Sequence, residues 1–289
     1  MKRVHLKAYA KINLGLDVIR KREDNYHEVR MIMQTIDLYD KLTLKVMDED
    51  TIVIKTNLSF LPTNENNLVY KAVKLLKDEF KIKRGIFINL EKHIPVAAGM
   101  AGGSSDCAAA LKGMNKLFCL NLTTAQLMKR GVALGADVPY CILGGTALSE
   151  GIGEQLTPLS PMPPCHVLIV KPSMHVSTKF VYENLDIPSL THHPDIDGMI
   201  HAIDEKDING VSSRLENVLE TVTAKEYLVI EELKHLIKDS GALGAIMSGS
   251  GPTIFGLFDN LALAERAKKI CRQHDSSHRV YVVGIKNEA

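Results

Sequence analysis

Val4, Leu6, Ala8, Ala10, Ile12, Leu14, Leu16 and Val18 fall on one parity of the N-terminal stretch, and His5, Lys7, Tyr9, Lys11, Asn13, Gly15 and Asp17 fall on the other. A period of two predicts an extended strand over residues 4–18. On such a strand Lys11 and Asn13 project from the same face, about 6–7 Å apart. Leu42–Met47 and Thr51–Lys55 read as further strands flanking the acidic turn Asp48-Glu49-Asp50. Leu68, Val69, Ala72, Val73, Leu76 and Phe80 recur near helical spacing and predict a helix over Asn66–Phe80. Ile86–Glu91 reads as a strand. A glycine-rich loop follows it, then an alanine-rich helix over about Ser105–Phe118 and a third helix over Thr124–Leu134, with Thr123 as N-cap.

Residues 157–164 hold four prolines in eight positions, which excludes a helix or a central strand and places a domain boundary there. The expected domains are residues 1–157 and 165–289. The second half reads as a strand (His166–Val170), helical stretches including Lys225–Lys238, a hairpin formed by Leu243–Ser248 and Thr253–Phe258, a helix (Leu261–Gln273) and a last strand (Arg279–Ile285). Strands cluster before helices in both halves, so the expected class is α+β rather than a regular βαβ array.

Composition narrows the function. Of 289 residues, 45% are hydrophobic, enough for real cores. Lys+Arg number 35 against 34 Asp+Glu, so the basic excess usual in a nucleic-acid binder is missing globally, though a local patch stays open. No run approaches the roughly 20 apolar residues that span a bilayer. Lys7 and Lys11 interrupt what would be a signal-peptide core. The expectation is a cytoplasmic protein with no membrane or nucleic-acid partner. Five cysteines without a C-x-x-C argue against a disulfide framework or a cysteine zinc site.

Four segments carry candidate chemistry. Pro95-Val-Ala97-Ala98-Gly99-Met100-Ala101-Gly102-Gly103-Ser104-Ser105 joins a strand to a helix. Its glycines let main-chain N–H groups approach an anion, and the helix start adds unpaired donors and the positive end of a dipole. Ser104 and Ser105 sit where hydroxyls can bind phosphate oxygens or a magnesium ion. The loop matches neither G-x-x-x-x-G-K-[ST] nor G-x-G-x-x-G. Gly135-Ala-Asp137-Val-Pro139 follows the third helix; Gly135 reads as its stop, leaving Asp137 on a short rigid turn. The Lys11/Asn13 pair with Tyr26-His27, and Ser248-Gly249-Ser250-Gly-Pro-Thr253, complete the set. Taken singly these are a solvated strand face, surface turns and a hairpin.

Together, A-K-I-N-L, P-x-x-x-G-[LM]-x-G-G-S-S, G-A-D-V-P and S-G-S-G-P-T resemble the GHMP kinase superfamily, from about residue 8 to the last strand and most weakly over Asp186–Gly210. Ala10–Leu14 with Tyr26-His27 resembles the branch that phosphorylates 4-diphosphocytidyl-2-C-methyl-D-erythritol on the non-mevalonate route to isoprenoid precursors. The resemblance implies two α+β domains, the first like ribosomal protein S5 domain 2 and the second ferredoxin-like, with the site in the cleft between them. It implies ATP and Mg2+, with no protein-only metal cage, and a monomer or weak homodimer. It assigns Asp137 as general base and Lys11 as its partner. The triphosphate falls to Pro95, Ala97–Ser105 and Asn66. The acceptor falls to Asn13, Tyr26, His27, Gly249 and Ser250, with Tyr182 or its competitor Phe180 over the second face of the cytosine. Asn25 and Ala101 stand where the family commonly has glycine; alanine at 101 implies a position with no need for positive φ. Two other readings stay open: a kinase of the same superfamily for homoserine or mevalonate, and a non-catalytic nucleotide-binding regulator. Tyr26-His27 disfavours the first, and the presence of both Lys11 and Asp137 disfavours the second.

Overall fold

The first strand is longer than its alternating stretch. In the computed structural model, which describes residues 2–288, β1 runs Arg3–Lys21 and turns at residues 22–26 into β2, His27–Met47. β3 (Ile52–Thr56), α1 (Leu68–Glu79), β4 (Gly85–Glu91), α2 (Gly102–Phe118), α3 (Thr124–Val132), α4 (Val138–Leu143), β5 (Thr146–Glu150) and β6 (Gln155–Pro158) follow. The chain continues with β7 (His166–Lys171), α5 (Thr178–Glu183), α6 (Ile196–Asp204), α7 (Ile208–Ser213), β8 (Glu216–Asn217), α8 (Glu220–Glu226), α9 (Val229–Asp239), β9 (Gly244–Met247), β10 (Ile254–Phe258), α10 (Leu261–His274) and β11 (Arg279–Gly284).

Two sheets result. The larger has the order β3-β4-β2-β1-β8, with β5 on β2 and β6 on β5. Pro158 ends β6, an edge strand, where a missing N–H costs no central ladder bond. The second sheet has the order β11-β7-β10-β9 with antiparallel neighbours. This is the order 4-1-3-2 of a ferredoxin-like unit, and the whole is the two-domain α+β architecture.

Three buried clusters hold it. One lies between the large sheet and the helices over it, with Leu42, Leu44, Ile88, Val73, Leu76, Leu111 and Met114. A second includes Leu168, Val170, Leu233, Ile237, Ala264 and Ala267, which joins the second sheet to α9 and α10. The third brings Ile12, Leu14 and Ile32 of the large sheet against Val167, Ile169, Phe255 and Leu257 of the small one. The third cluster corrects the half-exposed reading of β1. Residues 10–18 are buried on both parities, Lys11 and Asn13 included: the second sheet covers Ala10, Ile12 and Leu14, while the Met100 main chain, Met31 and Asp137 stand against Lys11 and Asn13.

Helix ends follow local chemistry where the sequence supplies it. Thr123 caps α3 in a reciprocal box with Gln126, and Asn67 caps α1 by accepting from Val69. Gly135 is not the stop of α3: the helix ends at Val132, and Leu134 and Gly135 both donate back to the Gly131 carbonyl. Among the described residues no helix is long and apolar enough to cross a membrane.

Candidate active site

The register between β1 and β2 slips between Tyr9 and Lys11 and again between Asn13 and Gly15. Such irregularities re-aim side chains, and here they bracket Lys11 and Asn13. Across the first, the even positions change company: Ala8 packs under the helices, whereas Ala10, Ile12 and Leu14 join the cluster against the second sheet. Lys11 and Asn13 face a cleft of about 840 Å³. The Lys11 N–H bonds the Met100 carbonyl at 3.2 Å, so the slip in the ladder is where the glycine loop docks. Lys11 Nζ donates to Asn13 Oδ1 at 2.6 Å and lies 3.9 Å from Asp137 Oδ2. The lysine side chain is 6% exposed and the aspartate 33%, a desolvated cation beside a carboxylate that can still meet a ligand.

Asp137 occupies the N-cap position of α4 yet makes no capping bond. Its carboxylate is therefore not spent on local backbone. Tyr140 pins the short helix from below, its hydroxyl held by the Gly145 carbonyl (2.7 Å) and Thr35 Oγ1 (3.0 Å).

The glycine loop forms one wall of the cleft. Pro95, Ala97, Ala98, Gly99, Ala101, Gly102, Gly103 and Ser104 line it. Ala101 precedes α2 with φ 55° and offers no side-chain cap, and the first turn carries no acidic residue. The opening N–H groups of a 17-residue helix thus stay free for an anion. Ala101 overturns the expectation drawn from its side chain, since this position does need positive φ. An L-residue there bears roughly 1–2 kcal/mol of strain, and Ala101→Gly is expected to raise folding stability by up to ~1 kcal/mol, read as a higher denaturant midpoint.

Two loop residues turn away from the cleft. Ser105 Oγ donates to the Tyr9 carbonyl at 2.6 Å, and Met100 is 1% exposed in the core between the sheets. Ser105 therefore braces α2 against β1 while Ser104 faces the cavity. With its hydroxyl bonded to main chain and 3% exposed, Ser105 is not placed to join Ser104 on a ligand in the cleft.

The second half contributes the opposite wall. Ser248 Oγ donates to the Gly99 carbonyl at 3.0 Å, joining the two glycine-containing turns. Asn217 Nδ2 holds the C-terminal turn by bonding the carbonyls of Met247 (2.9 Å) and Gly249 (2.8 Å). Ser250 Oγ meets Thr178 Oγ1 at 2.8 Å. Gly249 and Ser250 line the cleft, as do Tyr26, His27, Asn66 and Tyr182. Tyr182 and His27 stand with ring centroids 5.0 Å apart, and Tyr26 is 58% exposed. Phe180, unlike Tyr182, is not in the cleft wall. Burial, with Lys21 adding repulsion, pushes the His27 imidazole below its usual range, which keeps it neutral at pH 7 with one donor and one acceptor nitrogen.

Sequence reasoning missed Thr178, Lys92 and Asp106, which also line the cleft. The signal was present for Asp106, a carboxylate at the head of the apolar run Cys107-Ala-Ala-Ala-Leu111 of α2, and weaker for Lys92, which directly follows strand β4. Burial above all pushes Asp106 up, Lys92 opposes this, and the neighbouring Asp40 adds to it.

Comparison with known proteins agrees with this arrangement. The GHMP kinases N terminal domain matches residues 67–145, and the GHMP kinases C terminal domain matches residues 199–276. A Lachnoclostridium phytofermentans protein named 4-diphosphocytidyl-2-C-methyl-D-erythritol kinase is 64% identical over 264 residues, covering 91% of each chain. One of the same name from Lachnospira eligens is 56% identical, covering 97% of this chain and 98% of its own. A crystal structure of 4-(cytidine 5'-diphospho)-2C-methyl-D-erythritol kinase superposes with a TM-score of 0.83 at 29% identity, over 98% of this chain and 99% of that one. A homoserine kinase from Cytophaga hutchinsonii reaches 0.80 at 20% identity, over 100% and 96%, a likeness of fold alone. The chain belongs to the GHMP kinases, in the family of 4-diphosphocytidyl-2-C-methyl-D-erythritol kinases.

Proposed function

We propose that the chain transfers the γ-phosphoryl group of ATP to the 2-hydroxyl of 4-diphosphocytidyl-2-C-methyl-D-erythritol, a step toward isoprenoid precursors. The observation that carries this reading is one cleft holding an uncapped Asp137, 3.9 Å from a buried Lys11, between an anion-ready loop and an aromatic pocket. The triphosphate lies along the main chain of residues 97–103, with Ser104 adding a hydroxyl. Asn66 meets the nucleotide further along the same wall. Asp137 accepts the acceptor's proton as the oxygen bonds to phosphorus, and it fixes that oxygen's approach. Lys11, oriented by Asn13, offsets the charge that gathers in transfer. Asn13 also holds the erythritol end, with Gly249 and Ser250 closing from the other side.

Among the described residues no group of three or more Asp, Glu, His or Cys could hold a metal ion. Magnesium would therefore ride on phosphate oxygens and neutralise their charge. A cleft built from one chain supports action as a monomer, and two nucleotide-linked, water-soluble reactants fit a cytoplasmic setting.

The pyrimidine is gripped by Tyr26 on one face and Tyr182 on the other, with neutral His27 reading its edge. Base stacking on one aromatic is worth about 1–3 kcal/mol. Tyr26→Ala is thus expected to raise the KM for the cytidine-linked alcohol by about 5–100-fold with little change in the KM for ATP. Equal KM values for variant and wild type would remove Tyr26 from the pocket. ADP release measured with the cytidine-linked alcohol, homoserine and mevalonate separates the open readings. Turnover only with the first is expected; turnover with another alcohol, or with none, would replace this function.

A further inference from the structure

The transfer chemistry leaves one charged cluster unused. Lys92, Asp40 and Asp106 are 7%, 0% and 3% exposed. Lys92 Nζ donates to Asp40 Oδ2 and to Asp106 Oδ2, the latter at 2.6 Å. Asp40 Oδ1 in turn accepts from the main-chain N–H groups of His93 (2.5 Å) and Ile94 (2.8 Å). These two residues immediately precede Pro95, the start of the glycine loop, whereas Asp106 sits in the opening turns of α2, just beyond the loop's other end. We propose that Lys92, gripped by Asp40 and Asp106, is a positioning residue for the nucleotide: it ties the two ends of the phosphate loop to each other and so sets the loop's span. The proposal rests on the phosphate-site reading above.

Three observations carry it. The loop's ends lie close together, since a Cβ on Gly102 would crowd Ile94 Cγ2 at 3.1 Å and Lys92 Nζ at 3.3 Å. The tie at Asp106 is single, since its Oδ1 is buried without a hydrogen-bond partner. The cluster is also a poor packing device: it buries three ionisable side chains together, and buried ion clusters are commonly matched or bettered in stability by apolar side chains. Its benefit therefore lies in geometry. A ligand gripped by several main-chain N–H groups feels a change in loop span at every contact.

The test is steady-state kinetics together with calorimetric binding of a non-hydrolysable ATP analogue to Asp106→Ala and Asp106→Asn. Cutting the tie in Asp106→Ala is expected to raise the ATP KM and the analogue Kd by about tenfold or more, with the acceptor KM held within about twofold. Asp106→Asn keeps an oxygen for Lys92 and is expected to stay within about threefold of wild type in both. An unchanged ATP KM in folded Asp106→Ala, equal damage from the asparagine variant, or a parallel rise in the acceptor KM would each overturn the proposal. If Asp106→Ala does not fold, the Asp40→Asn/Lys92→Met/Asp106→Leu triple variant fills the space without charge, keeps an oxygen for the His93 and Ile94 N–H groups, and is judged by the same ATP and acceptor constants. A wild-type chain that binds no ATP analogue would sink the kinase reading as well, which distinguishes that failure from failure of the tie alone.

Discussion

Asp137→Asn is expected to lower kcat by about a thousandfold or more while leaving the fold and both KM values close to wild type. General-base help contributes about 10²–10⁴ in rate, and the amide also removes the negative charge that faces Lys11 at 3.9 Å. The fold should survive because the Asp137 side chain caps nothing and is a third exposed. Single-turnover mixing with saturating ATP measures the chemical step itself. A near-normal single-turnover rate in the variant would remove Asp137 from the chemistry, whatever its effect on steady-state turnover.

Gly99→Ala is expected to be nearly as damaging, by a different route. Gly99 has φ 71°, and a Cβ there would come within 2.1 Å of the Ser248 carbonyl oxygen. Backbone cannot rotate aside as a side chain can. The substitution forces apart the two turns that the Ser248–Gly99 bond joins, and it adds left-handed strain of roughly 1–2 kcal/mol. A loss of about 3 kcal/mol or more in unfolding free energy is expected, or, if the turns separate without unfolding, a rise of about a hundredfold in ATP KM. Denaturant titration and ATP kinetics on one preparation distinguish the two. Wild-type values in both would mean that the contact between the halves is dispensable.

The sequence made the site more legible than the scaffold around it. Gly99, Gly102, Gly103, Asp137, Lys11 and Asn13 stand out in sequence because small or polar residues interrupt the apolar patterning of the elements around them. Periodicity did mark much of the scaffold: β1, α1, α3 and the β9–β10 hairpin lie close to where their patterns put them. It failed where burial is two-sided. The first half of β2, residues 27–41, has Val29, Met31, Ile32, Met33, Ile36 and Leu38 on both parities because both faces are covered, and no single period shows. Ser105 was read as a ligand group because the motif names two serines in a row, whereas its hydroxyl is taken by the Tyr9 carbonyl; Met100 can offer only its main chain, since its side chain is buried between the sheets. The tie between Lys92, Asp40 and Asp106 could not be read at all, since its members lie 14 and 52 positions from one another in sequence and meet only once β2, β4 and α2 pack.

The most direct measurement is the position of the new phosphoryl group after incubation with ATP and the cytidine-linked alcohol, read by phosphorus–carbon couplings in the product's NMR spectrum. A phosphomonoester on the 2-oxygen of the erythritol, with the diphosphate bridge intact and one ADP formed for each, is the expected result. ADP formed without a new ester, or an ester on any other oxygen, would contradict the placement of that hydroxyl between Asp137 and the γ-phosphate.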